Sequence, residues 1–231
     1  MNFPFPRPYG IIILTAILSG YIIFSRRLKS ASTNVSSVQK ETLFIITLVC
    51  GLLGARLYHL LTDYHLYLDN WQEAFYIWHG GLGILGGLAG GGMSVWLYAS
   101  RQKISIKLLL DAAAPAFLWG QAFGRLANIT NGELLPFAYY DAGANFLLFL
   151  SLLVIERKFH LKTGTGKTFG GFALLYGLGR LVTEQMRSPR LIILSLGLIK
   201  LSFTELACLI LAGTGLYHLR RQKPKPYLEP H

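Results

Sequence analysis

Charge is scarce in this chain. Only 14% of its 231 residues are Asp, Glu, Lys or Arg, and the acids number 11 against 22 basic residues. A soluble domain usually devotes about 25% of its residues to charge, so a water-facing surface of ordinary kind is excluded. Cysteine is scarcer still: Cys50 and Cys208 stand alone inside apolar runs, with no CxxC and no metal-type spacing. They read as small packing residues, not as a disulfide, a zinc site or a catalytic thiol. Any thiol chemistry must therefore use a cysteine from another molecule. No GxGxxG stands in a strand-turn-helix context, which removes the nucleotide folds. The formal charge of +11 lies in short clusters between apolar runs and forms no reading motif, so nucleic acid is not the implied partner. Neither a metal nor a cofactor is expected.

What the chain has in abundance is hydrophobicity, 52% of residues with a mean hydropathy of +0.44. The reading is an all-α polytopic membrane helix bundle, one integral domain over residues 1–231 with about seven transmembrane helices. The apolar segments run from Tyr9 to Phe24, Thr42 to Leu61, Ile77 to Ala99, Ile106 to Ala127, Tyr139 to Ile155, Phe169 to Met186 and Leu201 to Leu219. An apolar stretch bearing Lys200 precedes the last and is read as lying along the outer surface. The clusters around Arg26–Lys40, Arg101–Lys107, Arg157–Lys167 and Arg220–Lys225 hold fifteen of the basic residues and fall in alternate connections. By the positive-inside rule those connections are cytoplasmic, which places the N-terminus outside and the C-terminus inside. The first helix, with its dense charge after the apolar run, reverses the order of a cleaved signal and is expected to be retained.

The informative charges are those left inside the apolar segments. An Arg at the centre of a membrane helix costs about 2.5–3.5 kcal/mol on the insertion scale, so Arg56 and Arg180 need partners or a polar cavity. The stretch GRLANITNGELLP, Gly124 to Pro136, places Arg125 near the far membrane surface with Asn128, Asn131 and Glu133 close behind it. Two readings stand: a buried site for an anion, or an interfacial loop from which Arg125 snorkels to water. In the sixth segment Gly177, Arg180, Glu184 and Arg187 fall on one helical stripe, which suits either an anion site or a self-neutralising Arg180–Glu184 pair. The glycines from Gly80 to Gly92 suit close helix packing, or a broken segment lining a cavity. Arg56, Arg125 and Arg180 outnumber Glu133 and Glu184, and phosphate is the anion a guanidinium fork matches best. In a membrane the phosphate-bearing molecule at hand is phospholipid, which the protein would either hold or react with.

Six motifs in order carry a resemblance over nearly the whole chain. They are Pro8-Tyr9-Gly10, Gly54-Ala55-Arg56-Leu57, Trp78-His79-Gly80-Gly81 with Gly86-Gly87, Asp111 to Pro115, GRLANITNGE, and YGLGRLVTEQMRSP. The chain resembles the prolipoprotein diacylglyceryl transferases of bacterial inner membranes. That resemblance implies transfer of the diacylglyceryl group of phosphatidylglycerol to the lipobox cysteine of a preprolipoprotein, with release of glycerol phosphate. It implies Arg125, Arg180, Glu133, Glu184 and Tyr9 as catalytic residues, and Arg125, Arg180, Asn128, Asn131, Arg56, Gly81 and Gly86 as substrate-binding residues.

Three departures accompany it. Leu85 stands where the family commonly has a histidine, the loop after Glu133 is short and runs into Pro-Phe-Ala-Tyr-Tyr-Asp, and Arg190 stands where Asp is frequent. His59, His65 and His79 are the alternative candidates for a base. A relative that binds or presents anionic lipid without catalysis is the rival reading.

Overall fold

The computed structural model describes residues 8–31, 34–68, 70–76, 80–133, 135–185, 192–196 and 199–220. Among these, seven helices carry the chain: α1 (Pro8–Ala31), α2 (Ser37–Thr62), α3 (Ile84–Gln102), α4 (Ile106–Thr130), α5 (Phe137–Lys158), α6 (Lys167–Gln185) and α7 (Phe203–Arg220). Two short 3-10 turns, Tyr64–Tyr67 and Trp71–Phe75, lie between α2 and α3. The expectation of an all-helical chain is corrected at one place. The apolar stretch before α7 forms an antiparallel hairpin, β1 (Ile192–Leu196) with β2 (Ile199–Ser202), in keeping with its β-branched isoleucines.

Helices α1, α2 and α5 are long and apolar enough to cross a membrane. The burial pattern inverts that of a soluble protein. Ile11, Leu14, Leu18 and Ile22 leave an exposed apolar stripe along α1, whereas Asp111, Asp141, Asn145 and Glu184 are buried. Lipid as solvent asks for that arrangement, since an apolar face costs nothing there and a polar one does. This is a membrane protein.

The chain divides into two compact units, residues Ser32–Ile106 and residues Met1–Ala31 with Lys107–His231. In the smaller unit, α2 opens with a capping box: Ser36 Oγ accepts from the Gln39 amide at 3.1 Å and the Ser36 amide donates to Gln39 Oε1 at 2.9 Å. Helices α2 and α3 meet through glycine. A Cβ on Gly54 would overlap the Gly86 carbonyl oxygen, and one on Gly90 would overlap that of Cys50. Part of the glycine cluster therefore serves close approach. Gly80 and Gly81 serve otherwise, with φ of 92° and 70°, and α3 begins at Ile84 instead of Ile77. The left-handed backbone there cannot continue a helix.

In the larger unit the core gathers Ala114 and Leu118 of α4, Phe149 and Leu152 of α5, and Phe172 and Ala173 of α6. Helix α1 joins it through Trp119, whose Nε1 donates to Ser19 Oγ at 2.7 Å. Helices α6 and α7 touch backbone to backbone, since a Cβ on Gly177 would sit 2.7 Å from the Cys208 carbonyl oxygen. Cys208 is itself 5% exposed, the packing place expected of a small residue.

Asp111 holds the start of α6. Its carboxylate is fully buried and accepts from the amides of Gly164, Gly166 and Phe169 at 2.8, 2.7 and 2.8 Å. Three amides, one buried and two half-buried, and one carboxylate satisfy each other, next to the positive end of the helix dipole. Asp111→Ala should therefore cost about 3 kcal/mol or more, because each stranded amide loses its acceptor. The readout is the thermal unfolding midpoint in detergent, and an unchanged midpoint would show that the loop is held by other contacts.

Candidate active site

Arg125 and Arg180 meet on one carboxylate. Helix α4 delivers Arg125 in its last two turns, α6 delivers Arg180 beyond its middle, and α5 carries Asp141 one turn after Phe137. Arg125 Nε lies 2.6 Å from Asp141 Oδ2, and Arg180 Nη1 donates to both Asp141 oxygens at 2.9 Å. Arg180 Nη2 faces Glu184 Oε2 at 3.2 Å one turn along its own helix, and its guanidinium lies 5.6 Å from the Phe137 ring centroid. Asn145 donates to the Asp141 carbonyl at 2.7 Å, fixing the turn that carries the acid.

Each partner is needed. Asp141 is 1% exposed, and a lone carboxylate so buried would give up its charge. Here the carboxylate faces two guanidiniums, and it stands between two like charges that would otherwise repel each other. The self-neutralising Arg180–Glu184 pair expected of the α6 stripe is present as well.

The site's charge differs from the expected surplus. That surplus set Arg56, Arg125 and Arg180 against Glu133 and Glu184, whereas here Arg125 and Arg180 stand with Asp141 and Glu184 and the group is formally neutral. Arg125 meets Asp141 through its Nε, and its side chain remains 19% exposed. A guanidinium can donate two parallel hydrogen bonds to a phosphate.

The remaining expected residues lie elsewhere. After α4 the amides of Asn131 and Glu133 donate to the Asn128 carbonyl at 3.2 and 2.9 Å, with Gly132 at φ of 69°. Asn131 Nδ2 donates to Glu133 Oε1 at 3.0 Å, so NGE forms an exposed helix-ending turn. Tyr9 is half-buried at the start of α1. Trp78, His79, Arg187 and Arg190 lie outside the described residues.

Arg56, Gly81 and Gly86 belong to the smaller unit, and Arg56 departs from its expected role. The side chain is 6% exposed and its guanidinium is wrapped by main-chain oxygens. Nε donates to Ala74, Nη1 to Gly80 and Gly81 at 2.5 and 3.0 Å, and Nη2 to Glu73 and, at 3.5 Å, Tyr76. All five donors are taken, which leaves none for a phosphate. Arg56 is a clamp on the loop before α3, and Gly81 is a glycine because a Cβ would sit 2.7 Å from Arg56 Nη1.

Sequence reasoning missed the part of Asp141. The signal was available, since an acid inside the fifth apolar segment needs a partner as much as a base does.

The prolipoprotein diacylglyceryl transferase family profile matches residues 4–220. Three relatives named phosphatidylglycerol–prolipoprotein diacylglyceryl transferase illustrate the likeness. The Cutibacterium acnes protein is 40% identical over 129 residues, covering 54% of this chain and 43% of the relative. The Frankia alni protein is 31% identical over 210 residues, 78% and 55% of the two chains. The Mycobacteroides abscessus protein is 29% identical over 229 residues, 80% and 66%. The chain spans about half the length of the curated relatives it matches. With a family profile that covers all seven described helices, the chain belongs to the prolipoprotein diacylglyceryl transferase family.

Proposed function

We propose that this protein transfers the diacylglyceryl group of phosphatidylglycerol to the lipobox cysteine thiol of preprolipoproteins and releases glycerol phosphate. The observation that carries the reading, beside family membership, is the Arg125–Asp141–Arg180 convergence. Arg125 takes the lipid phosphate on its terminal nitrogens, and Arg180 supports it through the shared acid. As the carbon–oxygen bond to phosphate breaks, charge grows on the leaving oxygens, and aimed guanidiniums stabilise it most where water is excluded. Glu184 and Asn128 order the site, with Glu133 and Asn131 at the neighbouring turn and Tyr9 adding a hydroxyl. Gly81 and Gly86 let α2 pack against the segment that opens α3, since a Cβ on either would strike Arg56, Tyr58 or the Gly54 carbonyl.

The chain is read as one integral domain in the bacterial inner membrane, crossing it about seven times with its N-terminus outside and its C-terminus in the cytoplasm. The alternation of its basic clusters supports that topology. Its partners are phosphatidylglycerol and the signal peptide of a preprolipoprotein.

The purified full chain in phosphatidylglycerol vesicles, given a lipobox peptide, should yield a peptide carrying a thioether-linked diacylglyceryl group, read by mass spectrometry. Lipid binding without that product would overturn the transfer reading.

A further inference from the structure

The charges of the larger unit are sorted by end. Glu133, Asp141, Glu184 and Glu205 all belong to the end where α4 and α6 finish and α5 and α7 begin. At the opposite end α1, α5 and α7 finish, α4 and α6 begin, and side-chain contacts hold these termini together. Glu156 of α5 joins Arg27 of α1 to Thr168 of α6, and the rings of Phe169 on α6 and His218 on α7 meet with centroids 6.4 Å apart. The acids of this end, Asp111 and Glu156, are both buried, and both are occupied by the amides, hydroxyl and guanidinium already described. Among the described residues of this end, every exposed charge is therefore positive. Arg26 and Lys29 stand on α1, Arg157, Lys158 and Lys162 where α5 gives way to the next loop, and Arg220 on the last turn of α7.

Topology alone accounts for the basic residues, but it is indifferent to acids, which contribute little to orientation. The withdrawal of both acids from the surface is a separate feature, and it leaves a face of one sign. Aromatic side chains are interleaved with the cations: Phe159 is 63% exposed with Lys158 Nζ 5.9 Å from its ring centroid, and Tyr217 is 53% exposed. Cations beside exposed rings are the composition of a membrane–water boundary. Helices α1 and α5, both long and apolar enough to cross a membrane, finish at this end, which sets it at headgroup level. The loop after α5 is also held in place. The Phe159 and Leu161 amides donate to the carbonyls of Ile155 and Glu156 at 2.9 and 3.0 Å, and Asp111 takes the amides of Gly164 and Gly166. Cations on a fixed backbone lose little freedom when a ligand arrives.

We infer that this end of the larger unit binds the headgroups of anionic phospholipids in the leaflet it faces. It is a second lipid contact, separate from Arg125, which lies about 20 Å further along α4 than Asp111. The phosphates meet lysine and arginine, and the acyl chains lie along the exposed apolar face of α1. The inference stands whether or not the chain transfers a diacylglyceryl group.

The test follows the thermal unfolding midpoint of the purified full chain in neutral detergent, titrated with phosphatidylglycerol or with phosphatidylcholine. Phosphatidylglycerol should raise the midpoint and phosphatidylcholine should not. Each basic residue beside such headgroups contributes about fivefold in affinity, so the triple variant Arg157→Gln, Lys158→Gln, Lys162→Gln should need about 10²-fold more phosphatidylglycerol for the same rise. Should that variant fold poorly without lipid, Arg26→Gln with Lys29→Gln and Arg220→Gln removes cations of the same face from other helices and should shift the titration likewise. Raising the salt to about 0.5 M should weaken the wild-type response, since exposed charges are screened. Arg125→Ala should respond as the wild type does. An equal rise with phosphatidylcholine, or a wild-type response from both triple variants, would overturn the inference. So would a response lost in Arg125→Ala and kept in the triple variants, which would assign the whole effect to the other end. Inorganic polyphosphate acting at the same phosphate concentration would overturn the assignment to lipid.

Discussion

Arg125→Ala should reduce diacylglyceryl transfer by at least about 10³-fold, the scale of losing a charged fork aimed at a leaving phosphate. The fold should survive, because Asp141 keeps its two bonds to Arg180 and the deletion removes a charge that costs energy in lipid. The measurement is product yield beside the unfolding midpoint of the same sample. Arg125→Lys refines the result: a point charge retains attraction but cannot donate through Nε to Asp141 while offering two parallel donors to phosphate. It should recover only a small part of the activity. Normal transfer by Arg125→Ala would place the phosphate elsewhere.

Asp141→Asn should be the most damaging single-atom-scale change in the larger unit. It leaves Arg125 and Arg180 facing a neutral amide, and breaking a buried ion pair on one side costs about 3–5 kcal/mol. Both stability and activity should fall. Combining it with Arg125→Ala separates the two effects. If the shared acid serves chiefly to hold the arginines together, the double variant should regain stability relative to Asp141→Asn alone and stay inactive. Equal midpoints for wild type and Asp141→Asn would show that this ion group contributes nothing to the fold.

The helices were legible because hydropathy reports on them directly. The fourth segment, expected from Ile106 to Ala127, runs to Thr130, and the Arg180–Glu184 pair and the close approach at Gly177 both follow from helical spacing. The start of α3 was not legible. Apolar content from Ile77 onward reads as helix, and only the left-handed backbone at Gly80 and Gly81, fixed by contacts from α2, ends it. The 3-10 turns and the hairpin are too short for periodicity to mark them.

The candidate site was half legible. Its two arginines stand out as charges in apolar runs, but attention to surplus cations passed over Asp141, and the same census left out Asp111 and Glu156. Glu156 is 9% exposed and pairs with Arg27 while accepting from Thr168 Oγ1 at 2.8 Å, another buried acid holding helices together. The main-chain grip of Arg56 was not legible for a deeper reason. Its partners are carbonyls, which every residue possesses, so no residue type announces them.

That grip has an evolutionary consequence. A side chain that recognises only the path of the polypeptide is indifferent to what decorates it, so Glu73, Ala74 and Tyr76 are free to drift as far as Arg56 is concerned. Variation in the segment before α3 can then alter what that segment presents while the chain keeps its course, with the burden of constancy falling on one guanidinium and one glycine.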